Sequence, residues 1–256
     1  MNTLPPHAPG PGMHERHARA LDAQVQALRQ EPDVVAALLQ GSVARGDTHP
    51  GSDLDLLVVL AEDGPPAFRH ALVESVRVEQ HRASVPALTA RLKRRPGLAH
   101  GVVEARCLFD RAGVVAALRD HAARVLASYV PDPGERARLA YWLRTAAEKV
   151  EAAREGGDWF RAALVATTTT WPLIEALWAV NGSPAPPVGS VPMHLARLPR
   201  QPADCRDTFG RLLLGDAPER AAAFVELARW AAAALDATPG DGPDDTPLES
   251  HGVLPE

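Results

Sequence analysis

The stretch from Gly41 to Leu60 reads GSVARGDTHPGSDLDLLVVL. It closes in an apolar run of strand length, Leu54 and Leu56–Leu60. Two carboxylates, Asp53 and Asp55, stand one residue apart where that run begins. Side chains alternate along a strand, so Asp53, Asp55 and Leu57 share one face while Leu54, Leu56 and Val58 share the other. At a rise of ~3.3 Å per residue the two acids are less than ~8 Å apart. Left alone they repel, and burial raises the pKa of at least one of them. A hard divalent cation removes that repulsion. Mg²⁺ accepts a few carboxylates and fills its shell with waters and phosphate oxygens. Two such ions flanking a phosphoryl group activate the attacking oxygen and stabilise the leaving one.

The upstream part of the stretch offers the complementary chemistry. Gly41 lets the backbone approach a ligand and take unusual dihedrals. Ser42 supplies a hydroxyl for a phosphate oxygen. A helical turn over residues 42–45 would aim free N–H groups at the same place, and Arg45 adds a rigid cationic fork. Phosphate and metal chemistry thus fall within fifteen residues. The absence of GK[ST] separates this pattern from a Walker loop.

Outward from this stretch the chain alternates strands and helices. Residues 13–30 carry Ala18, Leu21, Val25 and Leu28 at helical spacing, and Pro32 ends that helix. Residues 34–40, VVAALLQ, read as a buried strand. Residues 67–73 are expected to form a short helix. SVRVEQH, residues 75–81, alternates as a half-buried strand does. Residues 86–95 read as a helix, and VVEARCLF, residues 102–109, as a fourth strand.

After PDPGE the pattern turns helical. Residues 136–155 show an apolar stripe of Leu139, Leu143, Ala146 and Val150. Residues 159–179 form an apolar helix that Pro172 kinks or restarts, and residues 216–235 form a last helix. The expected fold class is α+β: an N-terminal mixed β-sheet domain over 13–130, then an all-helical bundle over 131–236. Residues 1–12 and the acidic tail 237–256 are expected to be disordered, and a ligand cleft is expected where the two domains meet.

The order Gly41-Ser42-x-x-Arg45-Gly46, then Ser52-Asp53-Leu54-Asp55-Leu56, resembles the signature of the polymerase-β-like nucleotidyltransferases. That superfamily includes aminoglycoside and lincosamide adenylyltransferases, minimal nucleotidyltransferases and tRNA CCA-adding enzymes. The motif covers about sixteen residues. The helical second half, around AREGGDWFRAALVATTTTWPLIEALWAVNG, is more loosely similar to the substrate-side domain of the antibiotic-modifying branch.

The resemblance implies a nucleotidyltransferase moving a nucleoside monophosphate, AMP from ATP, onto a hydroxyl of a small molecule such as an aminoglycoside-like antibiotic, with pyrophosphate leaving. It implies Mg²⁺ as cofactor, with Gly41, Ser42, Arg45 and Ser52 on the nucleotide and Asp53 and Asp55 on the metal. It also implies a third carboxylate, which helps deprotonate the acceptor hydroxyl. Glu79, on the strand after residues 67–73, and Glu104, on the next one, both qualify. The order of elements favours Glu79, as a further metal ligand, and leaves Glu104 open. An antitoxin-like binding module of the same fold, and adenylylation of a protein or RNA, stand as alternative readings, and a homodimer is left open.

Several residues have plainer readings. Asp47 and His49 are solvated turn residues, and Asp110 caps or turns the chain. His81 and His100 lack a partner at metal-ligand spacing and read as surface or strand-edge histidines. Trp142, Trp159, Trp171, Trp178 and Trp230 fall on helices and read as core. Cys107 and Cys205 read as two buried thiols without a disulfide or zinc pattern.

A hydrophobic content of 46% suits a soluble globular chain, and no apolar run reaches the ~20 residues that span a bilayer. The N-terminus lacks a basic start followed by an apolar core, so a cytoplasmic location and no membrane partner are expected. Six acids from Asp236 to Glu256 take up the net charge of −5 and leave the remainder at +1. Such a weak field argues against a nucleic-acid partner.

Overall fold

The computed structural model describes residues 13–62 and 64–237. The expectations of disorder at 1–12 and along the acidic tail from 238 onward lie outside these residues. The chain divides into two compact units: the chain up to Val130 together with Ser183–Leu198, and Pro131–Gly182 together with the chain from Pro199.

The first unit is built on a five-stranded mixed sheet. Its elements are α1 (Glu15–Gln30), β1 (Val34–Gln40), α2 (Gly41–Arg45), β2 (Leu54–Leu60), β3 (Ala67–Val73), β4 (Val76–Ser84), α3 (Val85–Arg94), α4 (Leu98–Glu104), β5 (Arg106–Asp110) and α5 (Val115–Ala127). The strand order is β3-β4-β2-β1-β5. β2 and β4 are parallel, and every other pairing is antiparallel.

The central strands read as continuous apolar runs because both sheet faces are covered. Leu54, Leu56 and Val58 join Leu21, Val25 and Leu28 of α1 in one core. Leu57 and Val59 pack on the opposite face with Leu88, Leu92, Val102 and Leu118, from α3, α4 and α5. Asp55 has the parity of Leu57, so the acids stand where this second core runs out toward one end of the sheet.

Two sequence expectations are overturned here. Residues 67–73 form the edge strand β3, not a helix. Ala67, Phe68, Ala71 and Leu72 mimic helical spacing, but Glu74 and Ser75 both adopt positive φ, 51° and 61°, and fold the chain into a two-residue hairpin that pairs Val73 with Val76. Such turns favour Asn-Gly or Asp-Gly, so Glu-Ser gave no warning. The segment read as a strand over 102–109 is also split. Residues 98–104 are α4, and the strand begins only at Arg106. Glu104 therefore closes a helix instead of lying on a strand. Asp110 does cap: its two carboxylate oxygens accept from the backbone N–H groups of Val114 and Val115, at 3.1 and 2.9 Å.

Ser183–Leu198 supplies a 3₁₀ turn (Val188–Ser190) and α9 (Val191–Leu195) to this unit. The second unit is helical: α6 (Pro133–Glu155), α7 (Trp159–Thr168), α8 (Thr170–Val180), α10 (Cys205–Leu214) and α11 (Ala217–Asp236). The α7–α8 break at Thr169 bends the chain by 45°, and three residues later Pro172 stands in the first turn of α8. α11 lies against α6, α7, α8 and α10, and Asp216 and Glu219 close a capping box at its start. Arg136 donates to the carbonyls of Ala179 and Leu235, at 3.2 and 2.8 Å. It thereby places a cation at the C-terminal ends of α8 and α11, where the helix dipole favours one.

Among the tryptophans only Trp178 is fully buried. Trp142, Trp159 and Trp171 are 51%, 39% and 38% exposed, against the expectation of core. Cys205 is buried, and burial pushes its thiol up to about 11; Cys107 is half-buried and also free. Among the described residues no single helix is long and apolar enough to cross a membrane.

Candidate active site

The parallel register of β2 and β4 sets Asp55 directly beside Glu79. Asp53, one residue before β2, has the same parity. Carboxylate oxygens of Asp53, Asp55 and Glu79 all lie within 4.8 Å of one another. Burial first, then the charges of Asp53 and Glu79, push the Asp55 carboxyl up to about 6, and the nearby Arg45 guanidinium only partly offsets this. Three acids converging at a half-buried point suit a hard divalent cation, whose charge would offset both the desolvation and the mutual repulsion.

The turn before β2 is shaped around these acids. β1 enters α2 at Gly41, whose φ is +71°, and a Cβ there would collide with the Asp55 carboxylate. Glycine is thus required twice, for the left-handed backbone and for the space. Gly46, at φ +86°, closes α2, and the Ser42 carbonyl accepts from the N–H groups of Gly46 and Asp47 at 2.9 and 3.1 Å. The Ser52 hydroxyl accepts from the His49 N–H at 2.9 Å, which fixes the loop leading into Asp53. On the other side His17, fully buried in α1, sits with Nε2 2.9 Å from the Ser52 carbonyl oxygen. Sequence reasoning missed His17, because nothing local marks a histidine whose partner lies 35 residues away.

Arg45 is almost enclosed, with 9% of its side chain exposed. It donates to the Ser190 hydroxyl and the Gly189 carbonyl, both at 3.1 Å, and stands 4.0 Å from Glu104. Its anchoring partners come from Ser183–Leu198, a segment that the sequence analysis assigned wholly to the helical half.

A cavity of about 230 Å³ adjoins the acids. Gly41, Arg45 and Asp55 line it together with Leu57, Leu88 and Val102, and every lining residue belongs to the first unit. His81 and Arg91 also face it. His81 is therefore not a surface histidine, and burial, followed by the Arg91 charge, holds its imidazole below the usual range.

Glu104 does not join the other three acids. It forms a short hydrogen-bonded pair with His194 of α9, and His100 stands beside them. The reading of His100 as a partnerless histidine is thereby overturned. Its neighbour in space lies 94 residues along the chain, beyond any local spacing rule.

Residues 21–95 match the nucleotidyltransferase domain family. That span runs from α1 to the end of α3 and holds Gly41, Ser42, Arg45, Asp53, Asp55 and Glu79. The match supports placing the first unit in the nucleotidyltransferase superfamily. No curated protein matches the chain. Among solved structures it is similar to a nucleotidyltransferase-like protein from Exiguobacterium sibiricum 255-15, at 16% identity and a TM-score of 0.41, covering 84% of this chain and 73% of that one.

Proposed function

We propose that the chain transfers a nucleoside monophosphate from a nucleoside triphosphate, ATP in the first instance, to a hydroxyl of a small molecule. The observation that carries this reading is the convergence of Asp53, Asp55 and Glu79 beside the Gly41 turn, inside the matched domain. Asp53 and Asp55 would hold Mg²⁺, with Glu79 as the further ligand. When bound, that ion neutralises charge on the phosphates and withdraws electrons from phosphorus.

The chain's own groups do the rest. The turn at Gly41 and Ser42 receives the triphosphate, and Arg45 lends it positive charge. Leu57, Leu88 and Val102 keep water from one side of the site. A carboxylate oxygen of Glu79 takes the proton of the acceptor hydroxyl. The acceptor oxygen bonds to the α-phosphorus as the bond to the pyrophosphate oxygen breaks. Positioning and charge complementarity provide most of the acceleration.

The acceptor is proposed as a small polyhydroxylated molecule, with aminoglycoside-like antibiotics as the first class to try. The experiment is release of pyrophosphate, and transfer of label from ATP, in the presence of Mg²⁺ and a panel of aminoglycosides, lincosamides, sugars, a protein and an RNA. Transfer to a small molecule that disappears in Asp55→Asn supports the reading. Transfer to the protein or RNA alone redirects it, and no transfer from any nucleotide refutes it.

A further inference from the structure

α4 presents His100 and Glu104 four residues apart, hence on one helix face. α9 brings His194 to them. One ligand atom from each of the three lies within 4.8 Å of the others. The His100 and His194 rings are 5.0 Å apart, and His194 Nε2 shares a hydrogen bond with Glu104 Oε1. A hydrogen-bonded Glu–His pair alone would only fasten Ser183–Leu198 to α4.

The surroundings go further. His100 Nε2 stands 3.1 Å from the Pro184 carbonyl oxygen, so that nitrogen carries the proton and Nδ1 keeps a free lone pair. Glu104 Oε2 receives the Ser190 hydroxyl at 3.5 Å and faces Arg45 Nη1 at 4.0 Å, which leaves Oε1 turned to the histidines. A backbone carbonyl fixing one imidazole and a hydroxyl holding the far carboxylate oxygen are the outer partners that metal ligands ordinarily have. The side chains of Glu104 and His194 keep 18% and 20% of their surface exposed, so an ion can reach them.

We propose that His100, Glu104 and His194 form a second metal site, selective for a zinc-class divalent ion. Two imidazoles and one carboxylate are a donor set that Zn²⁺ accepts with one position left for water. Nitrogen donors favour Zn²⁺, Co²⁺, Ni²⁺ or Cu²⁺ over Mg²⁺, so this site and the three-carboxylate cluster select different ions. A bound ion would bridge α4 and α9 and hold Ser183–Leu198 in place, with the Gly189 and Ser190 contacts to Arg45.

The test uses the untagged full-length chain, stripped with chelator and then titrated with Zn²⁺ by calorimetry, without nucleotide. The expected result is one saturable Zn²⁺ per chain, weakened at least ~10-fold in His100→Ala and in His194→Ala and unchanged in Asp55→Asn. The circular dichroism of each metal-free variant checks that it is folded. A second readout needs no variant: Cu²⁺ bound to the wild-type chain shows nitrogen superhyperfine splitting in its electron paramagnetic resonance spectrum. Absence of saturable Zn²⁺ uptake, uptake that survives both histidine substitutions, uptake lost in Asp55→Asn, or a Cu²⁺ spectrum with oxygen ligands only would each overturn the proposal.

Discussion

Two clusters of ionisable side chains lie in the first unit, and they are built by opposite means. Asp53, Asp55 and Glu79 lie within 27 residues of one another: strand parity puts the two aspartates on one face, and the parallel pairing of β2 with β4 sets Glu79 beside them. His100, Glu104 and His194 come together only because Ser183–Leu198 belongs to the sheet unit. Arg45 stands between them. Its charge lowers the Asp55 pKa, while its guanidinium is held by Gly189 and Ser190 beside Glu104. In the first cluster local pattern supplies the aspartate pair and one strand pairing adds Glu79, whereas the second rests on a long-range contact that pattern does not announce.

The largest effects should divide the clusters cleanly. Asp55→Asn and Glu79→Gln are each expected to lower nucleotidyl transfer by at least ~10²-fold, because each removes charge where it is needed in the transition state. Glu104→Gln should lower it by less than ~10-fold. Steady-state rates of pyrophosphate release decide this, and the reverse order would make Glu104 the third carboxylate. Next is Gly41→Ala. A side chain at φ +71° costs about 1–2 kcal/mol in backbone strain, and the new methyl displaces the Asp55 carboxylate. The expected outcome is transfer slowed by roughly 10- to 100-fold, together with a lower thermal midpoint.

The third test concerns pH. Asp55 is raised in the folded chain, so between about 4 and 6 the unfolded chain releases this proton while the folded chain retains it. Stability of the metal-free protein should therefore fall as pH rises through that window and level off above it. At pH 7.5 Asp55→Asn should be more stable than wild type by about 1–2 kcal/mol in urea unfolding with chelator present. The difference should vanish below about pH 4 and shrink on adding Mg²⁺ to the wild type. The smallest effect is expected for Ser190→Ala, which removes the hydroxyl between Arg45 and Glu104. A loss of about 0.5–1.5 kcal/mol in the same urea assay is expected, and no change would mean that Gly189 and Asp47 hold Arg45 without the hydroxyl.

What was legible follows from how far each residue's determining contacts reach. The β1–turn–β2 segment, the acid pair and the α+β class were readable because strand alternation and glycine demand are local properties. The edge strand β3 was misread because its hairpin turn uses Glu74 and Ser75 in place of the usual Asn-Gly. Glu104 was set on a strand because Val102 and Val103 suggest one, whereas Leu98, Ala99 and Val102 pack as one helix face. Exposed Trp142, Trp159 and Trp171 show the same limit from the other side: helical spacing identifies the helix but not which neighbours cover it.

By itself, then, the sequence determined the signature turn, the two aspartates on one face and the change from mixed sheet to helices, since each depends on residues only a few positions apart. Tertiary structure alone decided that Glu79 rather than Glu104 stands beside Asp55, that Arg45 is anchored by Ser190, and that His194 meets His100 and Glu104. Those outcomes depend on strand order and on where a distant segment packs, and both are set by the burial of apolar surface across the whole unit, not by the residues that end up touching.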